Sequence, residues 1–154
     1  MTNNTIGHRL TLAQVALLVL IGFVGLFYPG KPNAILGLTG FLTLVVGVFL
    51  IFWASMTLGS NFTIWPNPKP KSSLNRNGPY KHMRHPIYSG LILFSIGWTL
   101  VSTSLLAGVL TIILIIILLL KSNLEESILI KRFDGYGRYT RKTGRFLPAR
   151  RTFR

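Results

Sequence analysis

The chain has 154 residues, 49% of them hydrophobic, with 17 Lys and Arg against three acidic residues and no cysteine. That length makes one domain, and the missing cysteine excludes disulfides, thiolate metal sites and a cysteine nucleophile. A chain this apolar and this basic reads as a membrane protein before a nucleic-acid binder, and the basic residues flank helix ends without the interleaved aromatics of a stacking platform.

The apolar residues fall into four blocks. The first runs from about Leu10 to Tyr28 and the second from Ala34 to Leu58, each long enough for a hydrocarbon core that takes about 20 helical residues. No small-residue cleavage site stands out before Tyr28-Pro29-Gly30, so the first block is expected to be a retained helix rather than a secretory signal. The third and fourth blocks fill Ile87 to Leu120 with a polar break at Ser102-Thr103-Ser104, and predict a tight hairpin of two short helices. Predicted spans are about 10–28, 34–58, 86–101 and 105–121.

Between the second and third blocks, Gly59 to Arg84 is rich in Pro, Asn, Ser and Gly, which is turn chemistry, while Phe62, Ile64, Trp65 and Leu74 give it apolar anchors. This loop carries Lys69, Lys71, Arg76, Lys81 and Arg84. The stretch after Lys121 carries Lys131, Arg132, Arg138, Arg141, Lys142, Arg145, Arg150, Arg151 and Arg154. Positive charge collects on cytoplasmic loops, so both regions and, with an even number of spans, both termini are expected to be cytoplasmic and to meet anionic lipid headgroups. The tail aromatics Phe133, Tyr136, Tyr139, Phe146 and Phe153 predict a packed tail with a short helix around Tyr136 to Lys142 that helps close a site. The expected fold is therefore all-α: one polytopic membrane domain, 1–154, with about four transmembrane helices, the last two a hairpin, and a cytoplasmic helical tail.

Chemistry concentrates at the start of the third block, in Gly78-Pro79-Tyr80-Lys81-His82-Met83-Arg84-His85-Pro86-Ile87-Tyr88-Ser89-Gly90. Pro86 suits the first helical position, and the free amides of that helix start make a place for an anion. His82 and His85 with the glutamates are the conceivable metal ligands, but Pro86 leaves His82 outside the helix and no metal is expected. Glu125 and Glu126 follow directly on the last apolar block, where carboxylates are unfavourable unless functional. Lys121 lies four residues before Glu125, so an ordinary helical-face ion pair explains one glutamate but not both. A hairpin returns both glutamates to the face that holds Arg84, His85 and Tyr88.

Gly78-Pro79-Tyr80, Arg84-His85-Pro86-Ile87-Tyr88-Ser89-Gly90, Glu125-Glu126 with Leu129, Phe133-Asp134-Gly135-Tyr136-Gly137-Arg138-Tyr139 and Thr143-Gly144-Arg145-Phe146-Leu147-Pro148 resemble, in order and spacing, the isoprenylcysteine carboxyl methyltransferase and phospholipid methyltransferase superfamily. The resemblance covers roughly Leu58 to Pro148. It implies an integral membrane enzyme that binds S-adenosyl-L-methionine in a cytoplasmic pocket, in the regions 59–90 and 121–148, and methylates a lipophilic or amphipathic acceptor. It further implies cofactor contacts from Ser72, Ser73, Leu74, Asn75, Tyr80, His85, Pro86, Ile87, Tyr88 and Glu125, and catalytic roles for Arg84, His85 and Glu126, with His85 or Glu126 as base if the acceptor is an amine or hydroxyl. Lys121 stands where the family holds its acceptor with arginine. Leu74-Asn75-Arg76-Asn77-Gly78 departs from the family's Leu-Val-Thr-x-Gly run. Two other readings stay open, an NADPH-dependent reductase of the sterol-reductase type, which shares an Arg-His-Pro-x-Tyr element, and a non-enzymatic lipid-binding membrane protein.

Overall fold

The computed structural model describes residues 2–70 and 72–148, and these form five α-helices and two single-turn 3₁₀ segments. Lys71, Arg150, Arg151, Phe153 and Arg154 lie outside the described residues. The helices are α1 (Thr2–Phe27), α2 (Ala34–Leu58), α3 (Pro86–Ser102), α4 (Leu105–Arg132) and α5 (Tyr136–Lys142). Three of them, α1, α2 and α4, are long and apolar enough to cross a membrane, and α3 is a shorter apolar helix.

Helix starts follow capping chemistry. Asn33 caps α2 through its side chain, which accepts from Leu36 N at 2.9 Å, and Ser104 caps α4 in the same way through Ala107 N. Pro86 opens α3 at its first position, where no amide is needed. Two helices outrun their apolar blocks. α1 begins at Thr2 rather than near Leu10, and α4 runs to Arg132 rather than stopping near Lys121. Hydrophobicity marks where the hydrocarbon ends, whereas Lys, Ser, Leu and Glu residues continue the helix beyond it. α4 is therefore 28 residues, about 42 Å long, against 17 residues for α3, so the hairpin has one long arm that lifts Glu125 and Glu126 past the bilayer-facing apolar stretch.

α2 and α3 pack closely because glycines face each other. A Cβ on Gly40 would lie 2.7 Å from Gly97 O, and one on Gly47 would lie 2.8 Å from Gly90 O, so neither crossing admits a side chain. α1 covers α4, and the helices meet around a buried cluster of Ile21, Tyr88, Leu114 and Leu118. Outward residues such as Leu26, Phe49 and Ile112 are more than half exposed, the pattern of helices solvated by lipid. At one end of the bundle the two short turns are joined: Gly30 N donates to Ser102 O at 2.9 Å and Thr103 Oγ1 to Lys31 O at 2.9 Å. The long 59–85 segment and the residues after Lys121 gather at the other end, where the tail crosses them.

Candidate active site

The peptide just before α3 is held by the tail. Arg84 N donates to Gly144 O at 2.9 Å and His85 N to Arg145 O at 3.0 Å, a short parallel bridge that runs beside Met83, and Ser89 Oγ adds a bond to Phe146 O at 2.6 Å. Tyr139, on α5, donates to Tyr80 O at 2.5 Å. The helix expected at Tyr136 to Lys142 is thus the element that ties the Gly78–Lys81 turn to the tail.

On this frame the two glutamates part company. Adjacent helical residues point about 100° apart, so only one can face a given cavity. Glu126 turns toward the tail. Its Oε1 takes Arg84 Nε at 2.9 Å and His85 Nε2 at 3.0 Å, and its Oε2 takes Arg145 Nη2 at 3.3 Å. Arg84 also holds the tail, with Nη1 donating to Thr140 O at 3.1 Å and to Thr143 O. Glu125 faces a cavity of about 200 Å³, where its Oε1 accepts from Tyr88 OH and its Oε2 lies 3.4 Å from His85 Nδ1.

His85 stands between the carboxylates, buried, stacked on Tyr88 with planes 1° apart and ring centroids at 5.3 Å. Carboxylates only accept hydrogen bonds, so an imidazolium with N–H on both nitrogens satisfies this arrangement and a neutral ring does not. Burial alone would push the imidazole pKa down, but the hydrogen bonds and charges of Glu125 and Glu126 outweigh it and hold it above the usual 6.5. The tyrosines beside the cavity are protonated throughout the physiological range, since burial raises Tyr80, Tyr136 and Tyr139, the last to about 12.

Of the residues expected at the cofactor, Ser72, Ser73, Leu74 and Asn75 line the cavity from the loop, and Tyr80, His85, Ile87, Tyr88 and Glu125 line it from the helix end. Asn75 is fixed by a 2.6 Å bond to Thr57 O. Pro86 is fully buried behind this wall and not part of the lining. Arg84 reaches the lining, whereas Glu126 does not, so the carboxylate expected as a base is engaged away from the cavity. Lys121 also lines the cavity but is buried, its Nζ bonded to Gln14 Oε1 at 2.9 Å and Ile64 O at 3.0 Å, so it is no surface partner of Glu125.

Several lining residues escape a reading of the sequence. Gln14 is one, and its signal is available: a lone amide inside an apolar segment. Leu129 and Phe133, which belong to motifs already visible in the sequence, line the cavity as well, Leu129 one turn beyond Glu125 on α4 and Phe133 at the cap of that helix. Arg145, the third partner of Glu126, has no sequence signal apart from its position in a motif. Among the described residues no group of three or more His, Asp or Glu side chains is arranged to hold a metal ion.

The fold and the site have counterparts. A solved eukaryotic intramembrane Ras methyltransferase, isoprenylcysteine carboxyl methyltransferase, superimposes with a TM-score of 0.71 at 27% identity over 91% of this chain and 52% of that one. The chain thus spans about half the length of that enzyme. No curated protein matches the sequence. The model of the phospholipid methyltransferase family matches residues 35–135, from the start of α2 through both glutamates to the end of α4, and with more than half of its length inside that match the chain belongs to the phospholipid methyltransferase family.

Proposed function

We propose that the protein transfers a methyl group from S-adenosyl-L-methionine to a lipophilic or amphipathic acceptor at the cytoplasmic face of a membrane. The observation that carries this is Glu125, a carboxylate fixed by Tyr88 and His85 and presented to a cavity whose other walls are largely apolar or amide.

The donor set suits the cofactor. An α-ammonium asks for an anion, which Glu125 supplies; an adenine asks for an apolar shelf, which Leu74, Leu129 and Phe133 offer; ribose hydroxyls ask for short polar groups, and Ser72, Ser73 and Asn75 are in the wall. When bound, S-adenosylmethionine supplies an electrophilic methyl on a sulfonium. The chain's own share is to bind, to align the acceptor and to exclude water, which are worth several powers of ten in rate without a protein nucleophile. His85 orients Glu125. Arg84 and Glu126 hold His85 and the tail, so they act as positioning residues. The positive charge of the loop and tail supports a cytoplasmic position for the cavity and for both termini.

Calorimetric titration of the detergent-solubilised protein with S-adenosylhomocysteine tests this. Saturable binding that Glu125→Ala weakens at least about tenfold is expected, from a lost charge-assisted contact. A folded wild-type protein that ignores S-adenosylhomocysteine would sink the proposal; if it instead bound NADPH, the reductase reading would replace it.

A further inference from the structure

Lys121 is 1% exposed, on the face of α4 that turns into the bundle, and yet it lines the cavity. A buried ammonium has three N–H donors to satisfy. Two are taken, by Gln14 Oε1 at 2.9 Å and Ile64 O at 3.0 Å, and the ammonium stands 5.4 Å from the centre of the Tyr88 ring. One N–H remains for whatever enters. Gln14 belongs to α1, which lies outside residues 35–135, so this contact is an addition of the first helix to the site. It is also a deliberate-looking cost: an amide among Leu12, Val15, Leu17 and Leu18 is unfavourable in a membrane helix unless it has a partner.

A second observation limits what can bind beside it. His85 faces a carboxylate at each ring nitrogen and Glu126 is enclosed by Arg84, His85 and Arg145. Neither is free to take a proton, so the site suits an acceptor that arrives already ionised. The apolar wall near Lys121, with Leu58, Phe62, Ile64 and Trp65, suits a tail.

Building on the methyl-transfer reading, we propose that Gln14 is the specificity-determining residue of the acceptor site: it aims the remaining N–H of Lys121 into the cavity and thereby selects amphiphiles with a carboxylate or phosphate headgroup. A hydrogen bond to a charged donor is directional, so an ammonium held at two corners presents its third in one direction, whereas an untethered one would not.

The full chain in phosphatidylcholine nanodiscs is titrated with octanoate, octyl phosphate, octylamine and inorganic phosphate, with binding followed by the fluorescence of Trp65, which lines the cavity, and Trp65→Phe as the blank. The two anionic amphiphiles are expected to bind about tenfold more tightly than octylamine. Gln14→Met, which keeps length and loses the oxygen, should erase most of that preference, and Lys121→Met all of it. Gln14→Glu separates the role from mere packing: it restores the bond to Lys121 but cancels the charge, so a structural role would be rescued and the selective one would not. The larger affinity of octanoate or of octyl phosphate assigns the headgroup. Equal binding of all three amphiphiles by the wild-type protein, wild-type selectivity in Gln14→Met, or inorganic phosphate binding as tightly as octyl phosphate would overturn the proposal. S-adenosylhomocysteine binding is read separately: its presence without headgroup selectivity defeats this inference alone, and selectivity without it defeats the cofactor assignment alone.

Discussion

Arg84 Nε and Glu126 Oε1 stand 2.9 Å apart, joining a residue two positions before the α3 start to a carboxylate 42 positions later on α4. Both side chains are about 11% exposed, and Arg84 also grips the tail at Thr140 O and Thr143 O. The pair therefore fastens loop, long helix and tail at one point. Removing one partner of such a buried pair leaves an uncompensated charge, at a cost of about 3 to 5 kcal/mol. Glu126→Leu is expected to lower the thermal midpoint in detergent markedly, and more than Glu125→Leu does. A larger loss for Glu125→Leu would mean that the structural and ligand-facing carboxylates have been assigned the wrong way round.

Arg132, at the last turn of α4, donates to three successive carbonyls of the middle loop, Pro68 O at 3.3 Å, Lys69 O at 2.7 Å and Pro70 O at 2.6 Å. Those residues lead directly into Ser72 to Asn75, which line the cavity. Arg132 is exposed, so its net contribution is modest, about 1 kcal/mol, which is about a fivefold change in an equilibrium. Arg132→Met should weaken S-adenosylhomocysteine by about that factor, with the change in the dissociation rate. An unchanged dissociation rate would show that the loop is held by its other bonds.

How far these relationships could be read from the sequence depends on what each one rests on. Apolar blocks and caps are local, so α2, α3 and α5 lie where the residues indicate. The ends of α1 and α4 do not, because hydrophobicity reports the surrounding solvent and not the helix. Glu125 and Glu126 illustrate the limit at the site: their pairing is visible in the sequence, but which of the two faces the cavity depends on the helical phase of α4 relative to α3, set by distant packing. Gln14 and Lys121 are 107 positions apart, and no pattern along the chain joins them.

Close crossing of α2 and α3 makes a prediction with its own control. A methyl at Gly97 would meet Leu44 N and Cα and, at 2.7 Å, Gly40 O, all backbone that cannot yield, whereas a methyl at Gly22 or Gly37 meets nothing within 4 Å. Overpacking of this kind costs about 1 to 3 kcal/mol. Gly97→Ala should lower the thermal midpoint and Gly22→Ala and Gly37→Ala should leave it in place. Since Gly97 and Gly90 share the α2-facing side of α3, the same change should loosen the α3 start and reduce S-adenosylhomocysteine affinity. Equal midpoints for all three variants would mean that α2 is free to slide on α3.

His85 gives the pH dependence. Its imidazolium bridges Glu125 and Glu126, and their hydrogen bonds and charge, set against burial that works the other way, hold its pKa above 6.5 in the folded protein. A group whose pKa rises on folding is more tightly protonated in the native state, so its stabilisation is complete below the unfolded value and fades as pH climbs through the folded one. The contribution of His85 should accordingly be lost on the alkaline side, above about pH 6.5. His85→Gln keeps a donor of similar reach but no charge and no titration. The difference in thermal midpoint between wild-type and His85→Gln should be largest below about pH 6.5 and shrink as pH climbs through the raised folded value, where the ring loses its second proton and leaves one carboxylate without a donor. The loss should extend to binding, since Glu125 is then held by Tyr88 alone and its orientation toward the cavity is less well fixed. A difference that grows with pH would reverse the sign and show that the ring is neutral in the folded protein, with a proton on one of the carboxylates instead.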